Sequence, residues 1–322
     1  MTVDEAVRAA RTAIDELDSI LTPEAGAALI NRIDAYREVI EASQPENPWL
    51  LYISASTLSW TGRQGDAVDL LQRFVETREG RNEWRAYRLL GDLFVTEFPR
   101  LALGYYRNAH ALKRDEPAVL FGLSRCAAKI GEYQDATRYA EQAVEASGRT
   151  NVVHLTHLAR VLMAQRRWAE ARTEAATALR LAEKAAHDQA DQRNPLFTVD
   201  QQYQLIIEVI GGLISDAPDV IQHYLDAAAY IQARGQNAAK LNLHEALQVL
   251  EQAVNRTSDN AVPKLIEEYG RVLAEVGRTD DAVAQFEKLL LTDPANPIAT
   301  EWLRKLRPGK AKPVDAAGES RD

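Results

Sequence analysis

KIGEYQDATRYAEQAV, at residues 129–144, belongs to a set of four similar segments in this chain of 322 residues. The other three are TGRQGDAVDLLQRFV at 61–75, TEFPRLALGYYRNAHAL at 96–112 and QRRWAEARTEAATAL at 165–179. Superposition on one small residue aligns Ala67, Ala102, Ala136 and Ala171. Successive alanines are 35, 34 and 35 residues apart. A fixed period of this length indicates stacked structural repeats.

Two more columns of this alignment hold small or apolar side chains. Four residues after the alanines come Leu71, Tyr106, Ala140 and Ala175, and seven residues after them come Phe74, Ala109, Ala143 and Ala178. Positions four and seven apart lie on one face of an α-helix. Small side chains there let two helices cross at about 8–10 Å, which predicts antiparallel helical hairpins. Ala246 and Ala282, 36 residues apart, predict that the repeat returns near the C-terminus.

The segments resemble the tetratricopeptide repeat (TPR) family. In that family a first helix carries W-x2-L-G-x2-Y, and a second helix carries A-x3-F before a closing proline. The resemblance covers about residues 48–180 and 261–295. It departs from the pattern at Ser54, Ala55 and Phe74. The matching residues are Tyr87, Leu90, Gly91 and Phe94 in one repeat, and Tyr269, Gly270, Ala282, Phe286 and Pro294 in the last.

The resemblance implies an all-α, TPR-like α-solenoid of antiparallel helical hairpins, with N-terminal helices and a C-terminal capping helix. Within the irregular part of the chain, Gly211-Gly212, Pro218 and Gly235 are candidate helix breaks. We predict five segments: an N-terminal helical pair (1–45), four TPR-like hairpins (46–190), an irregular helical segment (191–260), a TPR-like hairpin with a capping helix (261–306) and a disordered tail (307–322).

The first predicted helix, at about residues 2–20, carries one apolar stripe at a spacing of three to four residues. One interpretation is a cap that covers the first repeat. The alternative is the seam of a homodimer, since a stripe of this kind also pairs helices of two chains. The stripe consists of Val7, Ala10, Ile14, Leu17 and Leu21.

Composition limits the classes of partner. The formal net charge is -9, so the chain has no general electrostatic attraction to nucleic acid or to an anionic membrane. Cys126 is the single cysteine, which rules out an intrachain disulfide and fits a reducing compartment. No apolar run approaches the roughly 20 residues that a membrane-spanning helix needs. We expect a cytoplasmic protein, and its arginine-rich, alanine-rich composition is typical of bacteria.

The sequence holds no recognisable catalytic motif. GRQGDA lacks the GK[ST] ending of a phosphate-binding loop, and HExxH, CxxC and GxSxG do not occur. His154 and His157 lie three residues apart, but a metal site would need a third ligand, so we favour ordinary packing. Cys126 falls inside a predicted helix, where a thiol packs as a small apolar group. We predict no enzyme activity, no cofactor and no metal.

The predicted binding site follows from the resemblance. In TPR arrays the first helices of the hairpins line a concave groove, and the aligned positions here hold aromatic and cationic side chains. Arginine pairs with carboxylates and aromatic rings supply contact area, so we predict that they bind an acidic segment of a partner protein. An extended segment of roughly nine residues would cross the groove at about 3.3 Å per residue. The set is Trp49, Tyr52, Trp60, Arg85, Arg88, Phe121, Arg125, Lys129, His157 and Arg160.

The same residues allow another interpretation, in which the aromatic rings pack against the N-terminal helices and the arginines pair with neighbouring glutamates. The carboxylate clamp of some TPR proteins, built from asparagines at the ninth position of the first helices, is not expected. The corresponding residues here are Ser56, Asp92, Arg125 and Arg160.

Three non-enzymatic functions therefore remain open at this point. The first is an adaptor or scaffold that binds a partner segment in the groove. The second is a regulatory or structural subunit held in a larger assembly through its helical faces. The third is a ligand-sensing protein in which the region 191–260 forms the pocket. The repeat pattern does not choose among them, since one fold serves many functions.

Overall fold

The computed structural model describes residues 1–17, 23–188, 199–234, 239–257 and 262–307. In these ranges the regular structure is helical and contains no β-strand, which confirms the all-α prediction. The chain divides into two compact units, Met1–Val199 and Asp200–Asp322. The predicted tail, apart from residue 307, lies outside the described ranges, as do Leu21 and Gly235.

The first unit is built from helices that pair in chain order, with a short 3-10 turn at Gly80–Asn82. Each pair contains a first helix and a second helix: α3 with α4, α5 with α6, α7 with α8, and α9 with α10. The bounds are α1 Val3–Leu17, α2 Pro23–Ser43, α3 Trp49–Trp60, α4 Gln64–Glu76, α5 Trp84–Phe94, α6 Pro99–Leu112, α7 Pro117–Lys129, α8 Tyr133–Ala146, α9 Val152–Ala164 and α10 Trp168–Asp188.

The aligned small residues lie in the buried interior of the hairpins, as expected of residues at helix crossings. The four alanines that define the repeat are fully buried, and so are the residues seven positions after them. Turns of left-handed backbone join first helices to second helices at Gly62 and Gly131, with φ of 84° and 82°. Arg166 takes that conformation in the fourth hairpin, with φ of 59°, where a side chain is less favourable than glycine.

The second unit contains two further pairs, α12 with α13 and α14 with α15, and the predicted capping helix α16. α11 continues through Gly211 and Gly212, so this candidate break is wrong. The buried residues Leu205, Ile206, Val209 and Ile210 hold that helix by packing, which outweighs the roughly 1 kcal/mol that a glycine costs. Pro218 does lie in a turn between helices. The bounds are α11 Val199–Asp216, α12 Ile221–Ala233, α13 Ala239–Thr257, α14 Pro263–Glu275, α15 Thr279–Thr292 and α16 Pro297–Leu306.

Candidate functional site

The predicted groove residues all lie in the first unit, on α3, α5, α7 and α9. We call the surface that they form the first-helix face. It has two parts. The N-terminal part carries Trp49, Tyr52, Trp60 and Arg85, and the C-terminal part carries Arg88, Phe121, Arg125, Lys129, His157 and Arg160.

One aromatic residue of the N-terminal part, Tyr52, belongs to the core, and another, Trp49, is partly buried against it. The ring of Trp49 lies 6.1 Å from that of Tyr52 and 5.3 Å from that of Phe74, between centroids. Tyr52 is 1% exposed. The guanidinium of Arg11, from α1, lies 4.6 Å from the centre of the Trp49 ring. Trp49 and Tyr52 therefore contribute packing inside the chain.

Trp60, the third aromatic residue, packs against α2 at a glycine. A Cβ atom built on Gly26 would lie 2.1 Å from Cζ2 of Trp60, so only glycine permits this approach. The residue remains 40% exposed. The contact fixes the end of α3 against the start of α2.

The arginine of the N-terminal part is bound by α1. Arg85 donates from Nε and Nη2 to the two carboxylate oxygens of Asp15, at 2.6 and 2.7 Å. This hydrogen bonding raises the pKa of the guanidinium, against the effect of burial. Arg11 of α1 also donates to Glu83, at the start of α5, at 2.5 Å. In the N-terminal part, Trp49 and Arg85 are thus engaged by α1 and Trp60 packs on α2, in line with the alternative that the sequence left open.

Arg88 begins the C-terminal part and is paired within its own helix. Its guanidinium donates to Asp92 at 3.0 Å, and the hydroxyl of Tyr106 donates to the other oxygen of Asp92 at 2.5 Å. Burial, followed by the charge of Asp92, raises the pKa of Tyr106. The one carboxylate at a groove position of α5 is therefore already bound from two sides.

Phe121 joins α7 to α9. Its ring centre lies 5.2 Å from that of His154 and 5.0 Å from that of His157, and the Arg125 guanidinium lies 5.5 Å away. The hydroxyl of Ser124 donates to the backbone oxygen of Ala136 at 2.7 Å. Since a hydroxyl has one hydrogen, Nε2 of His157, 2.8 Å from the same oxygen, must be the donor of their bond. This fixes the ring and its tautomer.

The electrostatics of the C-terminal part are positive. Burial, followed by the charges of Arg125, His154 and Arg160, lowers the pKa of His157 to about 4, so the ring is neutral at neutral pH. Lys129 and Arg160 are exposed and Arg125 is half-buried. Among the described residues, no carboxylate forms an ion pair with these three cations.

The fold of this chain is similar to that of several solved structures. The chain resembles PilW, described as a widely conserved type IV pilus biogenesis factor, with a TM-score of 0.51 and 14% identity over 70% of this chain and 92% of that one. It also matches MamA (TM-score 0.43, 19% identity, 51% and 95% covered) and a TPR protein from Parabacteroides merdae (0.38, 14%, 80% and 96%). These neighbours are TPR proteins. The chain has a TPR fold. No protein-family model matches the sequence, and no curated protein sequence matches it significantly.

The other residues that the sequence offers for chemistry, a cysteine and a histidine, are buried within the TPR fold. Cys126 is fully buried, and burial raises the pKa of its thiol to about 12. His154 is buried, and burial lowers its pKa. The described ranges contain no group of three His, Cys, Asp or Glu side chains with the geometry of a metal site. They also contain no helix that is long and apolar enough to span a membrane.

Sequence reasoning missed the residues that the TPR pattern does not contain. Asp15 and Arg11, which cover the first-helix face, come from a helix outside the repeat. Ser124 lies one residue before a predicted groove position, and nothing in the sequence marks its bond to His157. The acidic residues of α1 were the available sequence signal for this contact, because carboxylates form ion pairs with arginine.

Proposed function

We propose that this TPR protein is a non-enzymatic adaptor that binds an acidic segment of another protein on the C-terminal part of its first-helix face. Arg125, Lys129 and Arg160 would hold the carboxylates of that segment, and Phe121 would supply apolar contact. The observation that carries the proposal is that these three neighbouring cations lack a carboxylate partner among the described residues of an acidic chain.

The contrast within the same surface supports this proposal. Arg85 is bound by Asp15, and Arg88 is bound by Asp92. The next two first helices, α7 and α9, present their cations to solvent without such a neighbour. The charges of Arg125 and Arg160 reach the half-buried ring of His157, where they add to the effect of burial in lowering its pKa. An acidic segment would relieve this like-charge crowding and would be attracted from solution.

The energetics indicate how the affinity would be divided. An exposed ion pair contributes only about 0.2–1 kcal/mol, so three pairs give at most about 3 kcal/mol. That corresponds to roughly a hundredfold in a dissociation constant and does not hold a partner alone. Contact with Phe121 and with the aliphatic stems of the cations would supply the remainder.

Selection from a random peptide library displayed on phage tests the proposal without presuming a sequence. The parent chain serves as bait, and the selected peptides are then titrated against two double variants. Arg125→Glu with Arg160→Glu reverses charge on the first helices. Arg107→Glu with Arg180→Glu reverses the same charge on the second helices α6 and α10, where both arginines are exposed.

We expect the selected peptides to be enriched in Asp and Glu, to lose at least about tenfold in affinity for the first variant, and to bind the second nearly as well as the parent. Peptides without acidic enrichment that bind all three proteins alike would refute the proposal. Circular dichroism of each variant establishes that it is folded before it is titrated.

A further inference from the structure

The structure already contains one acidic helix on the first-helix face. α1 lies against the first helices of two successive hairpins, because Arg11 stacks on Trp49 of α3 and Asp15 binds Arg85 of α5. Its buried side chains recur every three to four residues, from Ala6 to Leu17. The carboxylate of Asp15 is thus bound by an arginine of a first helix, while the apolar stripe of the same helix packs against α2 and α3.

We infer that the partner presents an acidic amphipathic α-helix, which lies on the C-terminal part of the first-helix face as a continuation of α1. The inference rests on the proposed function and names the conformation of the bound segment. Continuity supports it, because the covered surface at Arg85 adjoins the open surface at Phe121 and Arg125 through the contact of α5 with α7. Charge supports it as well, since the open cations have the same chemistry as the arginine that α1 occupies.

The spacing of the cations favours a helix over an extended strand. Arg125 and Arg160 occupy equivalent repeat positions, 35 residues apart, on α7 and α9. These helices are in direct contact, because Ser124 and His157 are hydrogen-bonded across them. Helices in contact lie about 8–10 Å apart, so the two cations emerge at about that separation.

A helix can match this separation with side chains on one side. Residues seven apart on a helix are about 10.5 Å apart along the axis and differ by only about 20° in direction. On a strand, residues that share a face are about 7 Å or about 13 Å apart, and neither spacing matches the separation of the two cations as well as the helical one does. Two carboxylates at positions i and i+7 are therefore the expected signature of the bound segment.

Three synthetic peptides of equal length and net charge, each about 18 residues long, test the inference. The first carries an apolar stripe with glutamates at i and i+7, and a hydrocarbon staple on the opposite side holds it helical. The second is also stapled, but its second glutamate is moved to i+5, which turns it about 140° away. The third keeps the i and i+7 spacing without a staple and has a proline at its centre, which breaks the helix.

Fluorescence anisotropy gives the affinity of each dye-labelled peptide for the full chain. We expect the first peptide to bind about two- to fivefold more tightly than the second, the factor that one exposed ion pair supplies. It should bind more than about tenfold more tightly than the third, which must form its helix against a proline. The variant Arg125→Glu with Arg160→Glu should weaken the first peptide most, whereas Arg107→Glu with Arg180→Glu should leave its affinity unchanged.

The outcomes separate this inference from the proposed function. If all three peptides bind alike and all depend on Arg125 and Arg160, the surface binds acidic segments without a preference for helix, and the inference is overturned while the proposed function stands. If the first peptide fails to bind the parent chain, the inference is also overturned. If binding is indifferent to both arginines, both proposals fail.

Discussion

Replacement of Gly122 by alanine tests the packing that sets the spacing of α5 and α7. A Cβ atom at this position would lie 2.1, 2.3 and 2.6 Å from three ring atoms of Tyr106. The ring has no room to retreat, because on its other side a Cβ atom on Gly91 would be 2.7 Å away. Ordinary contact begins near about 3.4 Å, so relief requires a shift of about 1 Å in the ring or in α7.

The expected cost follows from two opposing terms. Overpacking of a filled core costs about 1–3 kcal/mol, and expulsion of a large aromatic side chain costs about 3–5 kcal/mol. Alanine recovers about 0.5–1 kcal/mol because it is a better helix former than glycine. We therefore expect Gly122→Ala to destabilise the chain by about 1–4 kcal/mol.

A matched control exists in the preceding helix of the chain. Gly104 lies in α6, and nothing would be within 4 Å of its Cβ atom, so Gly104→Ala should stabilise the chain by about 0.5–1 kcal/mol. Urea unfolding followed by circular dichroism compares the variants, and hydrogen exchange in α5 to α7 localises the effect. Tyr106→Leu should offset part of the cost in the Gly122→Ala background. An unchanged or higher stability for Gly122→Ala alone would refute this account of the packing.

Three further predictions concern stability. A double-mutant cycle of Asp15→Asn and Arg85→Gln should give a coupling energy of about 0.5–1 kcal/mol in urea unfolding, since the pair is partly exposed; a coupling near zero would mean that the contact does not hold α1. The pKa of His157 is about 4 in the folded chain and about 6.5 in the unfolded chain. As the pH falls below about 6.5, the unfolded chain therefore binds a proton at this ring before the folded chain does. Stability should therefore fall by up to about 3 kcal/mol between pH ~6.5 and ~4, and His157→Gln should flatten this loss; parallel profiles would contradict the burial of that ring. Ala136→Leu should cost about 1–3 kcal/mol, because the crossing that it fills is fully buried, and an unchanged midpoint would show that the repeat is misaligned.

The repeat itself could be predicted because its physical requirement is local. A helix crossing tolerates only a small side chain, and that requirement recurs at Ala67, Ala102, Ala136 and Ala171. The sequence predicts only one of the two close contacts that Tyr106 makes with glycine. Gly91 belongs to the TPR pattern, whereas Gly122 does not.

The covering of the N-terminal part could not be predicted in the same way. Asp15 and Arg85 are 70 residues apart, and no repeat relates α1 to α5. The sequence supplied both interpretations of the groove residues. The structure shows the packing interpretation in the N-terminal part, and binding by the C-terminal part stays a prediction. Trp49 and Arg85 are engaged by α1, whereas Arg125, Lys129 and Arg160 form no ion pair with a carboxylate of the described residues. The stripe on α1 is buried within the chain at Val7, Ala10, Ile14 and Leu17, as expected of a cap.

The most direct test of the central claim is the dissociation constant of the tightest selected acidic peptide, measured by calorimetry at low and high salt. Arg125→Glu with Arg160→Glu should weaken binding at least about tenfold at low salt and by less at high salt, because salt screens exposed charges. Arg107→Glu with Arg180→Glu, which changes the net charge equally, should leave the constant within about twofold of the parent at either salt. Equal losses for the two variants would contradict the claim, since binding would then follow the charge of the whole chain and not the cations of α7 and α9.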